Sequence, residues 1–346
     1  MTKSILLIGN HLSKSGKNLS VGEDLALQLR KNGWKVHLTS SKNNKIIRLF
    51  DMLLTILLRR KEYKLAQIDV FSGQAFMWAL LSGHLLQVVN KPFILSLHGG
   101  SLPKFAVKYE NRVKKLLLIA THVTTPSTYL HDFFIQYRKD ISLIPNGIDL
   151  KNYQYIHRDY LKPTLMWLRA FHKIYNPSMA INVLSEIKKI FPDSSLTMIG
   201  PDKKDGSLLK VVENSKKLEI EHSVHIFDQI PKKEVPEWLQ KGDIFLNTTN
   251  VESFGISVIE AAACGLCIVT TNAGELSNIW ENEIDALLVP TGNDLAMSEA
   301  IIKLCSDIEL ARKLSLNGRR KAEMFDWSNI LPKWLNLFNS ILSNSQ

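Results

Sequence analysis

Short apolar runs alternate with amphipathic segments almost to the end of the chain. Ile5–Ile8 reads as a buried strand. Val21–Lys31, with Leu25, Leu27 and Leu29 and an Asn32-Gly33 stop, reads as a helix leading into a second strand at Trp34–Leu38. The alternation recurs at Phe93–Leu97, Val123–Thr125 and Ile141–Ile144, and a polar stretch around Tyr153–Tyr160 interrupts it. It then resumes with strands at Leu165–Leu168, Leu196–Ile199, Val224–Phe227, Ile244–Asn247 and Cys267–Thr270. Helices are expected at Met179–Ile190, near Leu208–Lys217, at Glu234–Gln240 and from about Phe254. Brief, wholly apolar strands between amphipathic helices mark parallel sheets buried on both faces. The two series predict an α/β chain of two doubly wound parallel-sheet domains, with ligands at the carboxyl ends of the strands. The expected limits are 1–155 and 156–326. Residues 327–346 form a terminal helix, carrying Trp327, Leu331, Trp334, Leu335 and Phe338, that crosses back toward the first domain. No tandem repeat and no low-complexity tract interrupts this plan.

Length and composition fit that plan. A chain of 346 residues, 45% hydrophobic and 22% charged, is neither collagen-like nor disordered, and three cysteines cannot build a disulfide scaffold. The odd number of cysteines favours a reducing compartment. The apolar run at Ile5–Ile8 is too short for a signal peptide, so a cytoplasmic location is expected. Charge is uneven: residues 1–150 carry 21 Lys+Arg against 9 Asp+Glu, a surplus of +12, while the remainder is at −2. A basic first half implies an anionic partner there. The longest apolar region, Ile46 to Leu58, is interrupted by Arg48 and Asp51 and falls well short of a membrane span. Two readings of Lys45–Lys64 stay open. One is a buried helix with charged ends. The other is a helix in the interface of an anionic membrane, flanked by Lys42, Lys45 and Arg48 and by Arg59, Arg60, Lys61 and Lys64.

The densest chemistry lies in Glu252-Ser-Phe-Gly-Ile-Ser-Val-Ile-Glu260, followed by Ala261-Ala-Ala-Cys264-Gly265. A strand, a Thr-Thr-Asn loop, a glutamate and a helix start place free backbone N–H groups and a positive dipole end beside a carboxylate. That setting suits phosphate or the polar face of a sugar. Eight helical residues separate the two carboxylates by roughly 12 Å along the axis, too far for a close acid–base pair. Each glutamate, taken alone, also fits a helix cap or a solvated face.

Glu252 and Glu260 with Phe254-Gly255 between them, Ile144-Pro-Asn-Gly-Ile-Asp149, His98-Gly99-Gly100 after a strand, and Ala262-Ala-Cys-Gly-Leu resemble the motifs of retaining, metal-independent GT-B glycosyltransferases of family 4. The likeness runs across nearly the whole chain in order and spacing. It implies two Rossmann-like domains facing a central cleft, the first binding the acceptor and the second a nucleotide-diphosphate sugar. It implies that Glu252 binds donor-sugar hydroxyls and Glu260 the ribose, while Phe254 and Gly255 present amides to the hexose. His98 would line the reaction centre, with Gly99, Gly100 and Asn146 on the acceptor side. Arg169 and Lys173 would clamp the diphosphate without a metal or other cofactor. Gly16, in Ser15-Gly16-Lys17, stands where relatives have a paired glycine after the first strand, and Lys173-Ile174 stands for a lysine followed by glycine. Cys267 replaces a proline and Ala273-Gly274 a glycine pair, changes expected to be tolerated at a strand edge. The activity implied is transfer of a hexose, with retention, to a saccharide or lipid-linked acceptor in cell-surface polysaccharide or glycolipid synthesis. The enzyme would be cytoplasmic, peripheral at the inner face of the membrane. The alternative is a nucleotide-sugar epimerase or phosphorolytic enzyme on the same plan.

Other signals are weaker. Cys264-Gly-Leu-Cys267 imitates a redox dithiol but follows an Ala-rich helix instead of opening one, so both cysteines are read as structural. Among ten histidines there is no His-Glu-x-x-His, and His222-x-x-His225 lacks an acidic or cysteine cluster, so no metal site is expected. Gly9-Asn-His-Leu-Ser lacks the dinucleotide fingerprint, and the second strand ends in Thr39-Ser40-Ser41 without an acid for a ribose. Basic residues are not interleaved with aromatics as a nucleic-acid groove requires, so nucleic acid is not an expected partner.

Overall fold

The structure is a computed structural model, and residues 3–13 and 19–344 are described. The chain divides into two compact units, Met1–Gly147 with Trp327–Gln346, and Ile148–Asp326. In the first, the elements run β1 (Ser4–Ile8), α1 (Val21–Lys31), β2 (Lys35–Thr39), α2 (Lys45–Leu58), β3 (Leu65–Val70), α3 (Gln74–Val88), β4 (Phe93–Leu97), α4 (Leu102–Lys108), α5 (Glu110–Ile119), β5 (His122–Thr125), α6 (Thr128–Phe134) and β6 (Ile141–Leu143). Among the described residues the strands form one parallel sheet in the order β2-β1-β3-β4-β5-β6, with Ile5 opposite both Val36 and Leu65. α1 starts at a capping box in which Ser20 and Glu23 satisfy each other's backbone N–H groups.

The second unit runs β7 (Thr164–Leu168), α7 (Pro177–Lys188), β8 (Ser195–Ile199), α8 (Ser207–Lys217), β9 (Val224–Phe227), α9 (Val235–Leu239), β10 (Ile244–Asn247), α10 (Ile256–Ala263), β11 (Cys267–Thr271), α11 (Leu276–Ile279), β12 (Leu287–Val289), α12 (Asp294–Ser306) and α13 (Ile308–Glu323). Its parallel sheet has the order β12-β11-β10-β7-β8-β9. The expected fold class, two doubly wound parallel sheets, is the observed one. The apolar runs missed by the sequence pattern are β3, with α3 behind it, and β12. α11, α12 and α13 also lie beyond the predicted series.

Each sheet is covered on both faces. In the second unit α7, α12 and α13 bury Leu165, Trp167, Leu196 and Val269 on one face, while α9, α10 and α11 bury Met166, Phe245 and Ile268 on the other. In the first, α2 to α6 cover Leu6, Ile68 and Leu95 on one face. α1 alone is too narrow for the opposite face, which carries Ile5, Leu7, Leu65 and Ile94. The last helix, α14 (Trp327–Asn344), completes it with Ile330, Leu331, Trp334, Phe338 and Ile341. Trp327 Nε1 donates to Asp24 at 3.1 Å. A Cβ on Gly147 would lie 2.6 Å from the Trp327 ring, so the glycine of Pro145-Asn146-Gly147 lets β6 close against the returning helix. The unit boundary falls eight residues earlier than the expected 155. Ile148 donates its N–H to Phe325 O and Tyr153 packs under α10, so 148–155 belong to the second unit.

Phe338 is fully buried between Trp34 and Trp334, with ring centroids 5.5 and 5.4 Å away. Phe338→Ala is expected to lower stability by about 3–5 kcal/mol, read as a fall in the urea midpoint with an unchanged slope.

Candidate functional site

In the second unit the sheet order reverses direction between β7 and β10, and a doubly wound sheet offers its ligand crevice outside the carboxyl ends of the two strands that flank such a point. The residues that follow these strands are Arg169 and the 248–252 loop. Arg169 donates its backbone N–H to Ile199 O at 3.1 Å, and its guanidinium lies 4.7 Å over the Tyr175 ring and pairs with Glu252 Oε2. Glu252 is buried, and its Oε1 accepts the N–H groups of Ser253 (3.0 Å) and Phe254 (3.3 Å). Arg169 Nε has no acceptor among the described residues. Burial pushes the guanidinium pKa below its ordinary value, opposed by Tyr175 and Glu260, yet arginine stays charged at any relevant pH. A buried, charged donor with an unfilled direction is suited to a bidentate phosphate oxygen pair.

The loops holding this pair are stitched together. Thr248 Oγ1 donates to Tyr175 O at 2.7 Å and accepts from Trp167 Nε1 at 3.0 Å, while Asn250 N donates to Ile174 O at 2.8 Å. Thr271 Oγ1 donates to Thr249 O at 2.6 Å. Gly255 opens α10 at φ +84°, where a side chain would be strained and its Cβ would meet Leu276 at 2.9 Å. Glu260 follows inside α10, buried, with Tyr153 Oη donating to its Oε1 at 2.8 Å and Lys232 paired to the same oxygen. Lys173 opens a 3-10 turn and is exposed; its backbone N–H donates to Asp205 at 2.8 Å, and among the described residues its ammonium has no hydrogen-bond or ion-pair partner. Arg169, Glu252, Phe254, Gly255 and Glu260 thus lie in one neighbourhood, and Lys173 sits on the turn that packs against it.

In the first unit the order reverses between β1 and β3. A small cleft opens there, lined by Gly9 and Asn10 after β1, Asp69 and Phe71 at the end of β3, Met52 of α2 and Trp78 of α3. His98, the residue after β4, is buried, pairs through Nε2 with Asp69 Oδ1 at 3.5 Å and stacks on Phe71 at 5.3 Å. Gly99 takes φ +91°, and its carbonyl accepts from Leu102 N at 3.0 Å. Gly100 O accepts from Tyr129 Oη at 3.5 Å. Asn146 lies half-buried beyond β6. His11 is buried beside Asp69 and contacts Leu7 O and Ser20 Oγ, and a Cβ on Gly9 would meet Asp69 at 2.5 Å. Ser13 and Ser20 both donate to Glu23. Gly16 lies outside the described residues.

Several of these groups were not singled out in the sequence. Asp69 was hidden because β3 was missed, its apolar run being interrupted by Gln67 and by Asp69 itself. Lys232, in Pro231-Lys-Lys, carried the one available hint, a cation pair between a strand and a helix. Thr248 and Thr249 stood out only as part of a polar Thr-Thr-Asn loop, yet they clamp the loops. Gly274 is not an indifferent strand-edge residue. It sits at φ +58°, and a Cβ there would collide with the Glu252 carbonyl oxygen, which also accepts from Glu275 N at 3.1 Å. Ala273 at the preceding position is buried without such a conflict.

Burial pushes the thiols of Cys264 and Cys267 up to about 12, and both are free and buried. They are expected to resist a thiol reagent at pH 8 in the folded protein and to react fully in denaturant, as thiol titration measures. Burial also lowers the pKa of His11, and of His37 and His122, from 6.5. Below pH 6.5 the unfolded chain therefore binds protons that the folded one refuses, so stability falls as pH drops from about 6.5 toward 5. The urea midpoint should track that fall, and His11→Gln should flatten it.

The family model for glycosyl transferases group 1 matches residues 160–321, and that for glycosyltransferase family 4 matches residues 21–152. An uncharacterized glycosyltransferase of Methanocaldococcus jannaschii is 25% identical over 75% of this chain and 71% of its own. The N,N'-diacetylbacillosaminyl-diphospho-undecaprenol alpha-1,3-N-acetylgalactosaminyltransferase of Campylobacter jejuni is 32% identical over 33% of this chain and 30% of its own. Among solved structures, sucrose-phosphate synthase of Thermosynechococcus elongatus superposes with a TM-score of 0.82 at 17% identity, covering 99% of this chain and 100% of that one. Anabaena HepE in complex with UDP and glucose gives 0.78 at 16% identity, covering 98% and 100%. These structures share the fold. With both halves matched in order, and the two sheets those of the GT-B plan, the chain belongs to the group 1 glycosyl transferases of glycosyltransferase family 4.

Proposed function

We propose that this glycosyltransferase moves a hexose from a nucleotide-diphosphate sugar to a saccharide or lipid-linked acceptor, with retention of configuration and without a divalent ion, in the synthesis of a cell-surface polysaccharide or glycolipid. The observation that carries the reading is the pair of the half-buried Arg169 with the buried Glu252 at the point where the second sheet reverses. The unit that contains it takes the donor. Glu252 accepts from sugar hydroxyls, the amides of Phe254 and Gly255 face the hexose, and Glu260, fixed by Tyr153 and Lys232, accepts from the ribose. Arg169 and Lys173 receive the charge that develops on the departing diphosphate, work that two fixed cations perform in place of a metal. A guanidinium held over Tyr175 and against Glu252 is already oriented and gives little reorganisation cost at the moment of bond cleavage.

The first unit takes the acceptor. His98 is its candidate catalytic residue, kept in one orientation by Asp69 and Phe71. Asn146, Gly99 and Gly100 line the acceptor side, and Gly16 is assigned to the donor loop on sequence alone. The relative from Campylobacter jejuni, whose name specifies a diphospho-undecaprenol acceptor, favours a lipid-linked acceptor. The peripheral membrane location belongs to the same reading, and no described helix is long and apolar enough to cross a membrane. An epimerase or phosphorolytic enzyme would turn over the donor with no acceptor present, so product analysis with the donor alone separates the two.

Glu252→Ala and Arg169→Ala are each expected to cut turnover of a nucleotide sugar by about two decades or more while circular dichroism and the urea midpoint show a folded protein. Full activity in either variant, or loss of wild-type activity after treatment with a chelator, would overturn the proposal.

A further inference from the structure

α2 carries an apolar stripe on its exposed side as well as apolar residues on its buried side. Its residues Arg48, Met52 and Ile56 point into the first unit, while Ile46, Ile47, Phe50, Leu54 and Leu58 are each more than half exposed. At about 100° per residue these five, with Leu57, fall within one stripe roughly 120° wide and about 18 Å long. Single exposed apolar side chains are ordinary on a soluble protein, but a continuous stripe of them on one helix is not. Helix propensity does not explain it, because polar residues would serve the exposed face equally well.

The surroundings specify what covers the stripe. Lys42 and Lys45 stand at its start and Arg60 and Lys61 at its end, and among the described residues none of the four has a carboxylate ion-pair partner. Glu62, the nearest acid beyond the helix, is engaged by Lys35, His37 and Arg59. Asp51, the helix's own acid, accepts from Thr39 Oγ1 on the sheet side. An apolar stripe with cations at both ends matches an anionic bilayer, whose acyl boundary accepts the stripe while the headgroups meet the cations. A second protein copy would instead meet like charges, since the same four cations would face one another.

The buried side of the same helix reaches the chemistry. Met52 lines the cleft that also contains Asp69, the partner of His98, and Arg48 donates to Asn10 at 2.8 Å while lying 5.1 Å over Trp78. We infer that the exposed face of α2 docks the first unit onto an anionic lipid surface, so that the cleft beside Asp69 and His98 takes an acceptor anchored in that surface. This rests on the acceptor assignment above and narrows it to a lipid-anchored class. The lipid contact itself needs no transfer chemistry.

The test is co-sedimentation of the full chain with vesicles of phosphatidylcholine alone and of phosphatidylcholine mixed with the anionic lipid phosphatidylglycerol. Binding is expected to the anionic vesicles only, weakening with salt but not vanishing. Phe50→Ser with Leu54→Ser should lower the partition coefficient about tenfold or more. Arg60→Glu with Lys61→Glu should abolish the preference for anionic lipid. All four positions are exposed, so circular dichroism and nucleotide-sugar thermal shifts should be those of the wild type. Equal binding by the serine variant, or a wild-type dimer that this variant converts to monomer without any vesicle binding, would overturn the inference. Vesicle binding without any nucleotide-sugar thermal shift would sink the transfer reading and leave the lipid surface standing.

Discussion

A parallel sheet covered by helices on both faces leaves water and ligands one place to enter, the edge where its strands end. Most central strands of this chain, β1, β4, β10 and β11 among them, are buried along their length, so polar chemistry gathers toward and just beyond the carboxyl ends. Gly9, His98 and Arg169 directly follow their strands, Asp69 is the penultimate residue of β3, and Glu252 closes the loop after β10. Where neighbouring strands send their connections to opposite faces, those ends part and a crevice forms. The two clusters arise from this single constraint, one in each unit.

Within the second unit the Arg169–Glu252 pair is the costly feature. Two desolvated charges in contact seldom add net stability, and removing one partner of such a pair typically costs about 3–5 kcal/mol because the other is left uncompensated. The surrounding loops carry the burden of keeping the pair in register: the threonines of the 248–249 stretch, the carbonyl of Tyr175 and the pressed backbone of Gly274 over Glu252. A site that tolerates such a cost uses the charge for something other than folding.

Much of this plan was legible in the sequence. Periodicity and strand spacing were enough for the fold class, the terminal helix and the strand-end location of His98, Arg169 and Glu252. Glu260 and the Phe254-Gly255 helix start also stood out in the residues themselves, while the resemblance supplied their roles and those of Arg169 and Lys173. What was not legible depends on contacts between segments distant in the chain. Lys232 meets Glu260 and Tyr153 meets it from over a hundred residues away, pairings that no local pattern encodes. Asp69 was lost with its strand, because Gln67 and Asp69 break the apolar run that marks the other strands. The α2 segment left two readings open, and neither a wholly buried helix nor a freely amphipathic one describes it. Arg48 and Asp51 turn toward the protein beside Met52 and Ile56, while Ile46, Ile47, Phe50, Leu54 and Leu58 face outward.

The late arrival of α14 bears on how the chain matures. The first unit's sheet is made of residues that leave the ribosome early, yet one of its faces, begun by α1, is completed only by Ile330 to Ile341. Between the end of β6 and that helix lie the residues of the whole second unit. At about 5–20 residues per second, their synthesis leaves the face of Ile5, Leu7, Leu65 and Ile94 covered by α1 alone for roughly 10–35 s. The amino-terminal unit is thus the last to be completed, and its nascent sheet is a natural client for a chaperone that shields apolar strands.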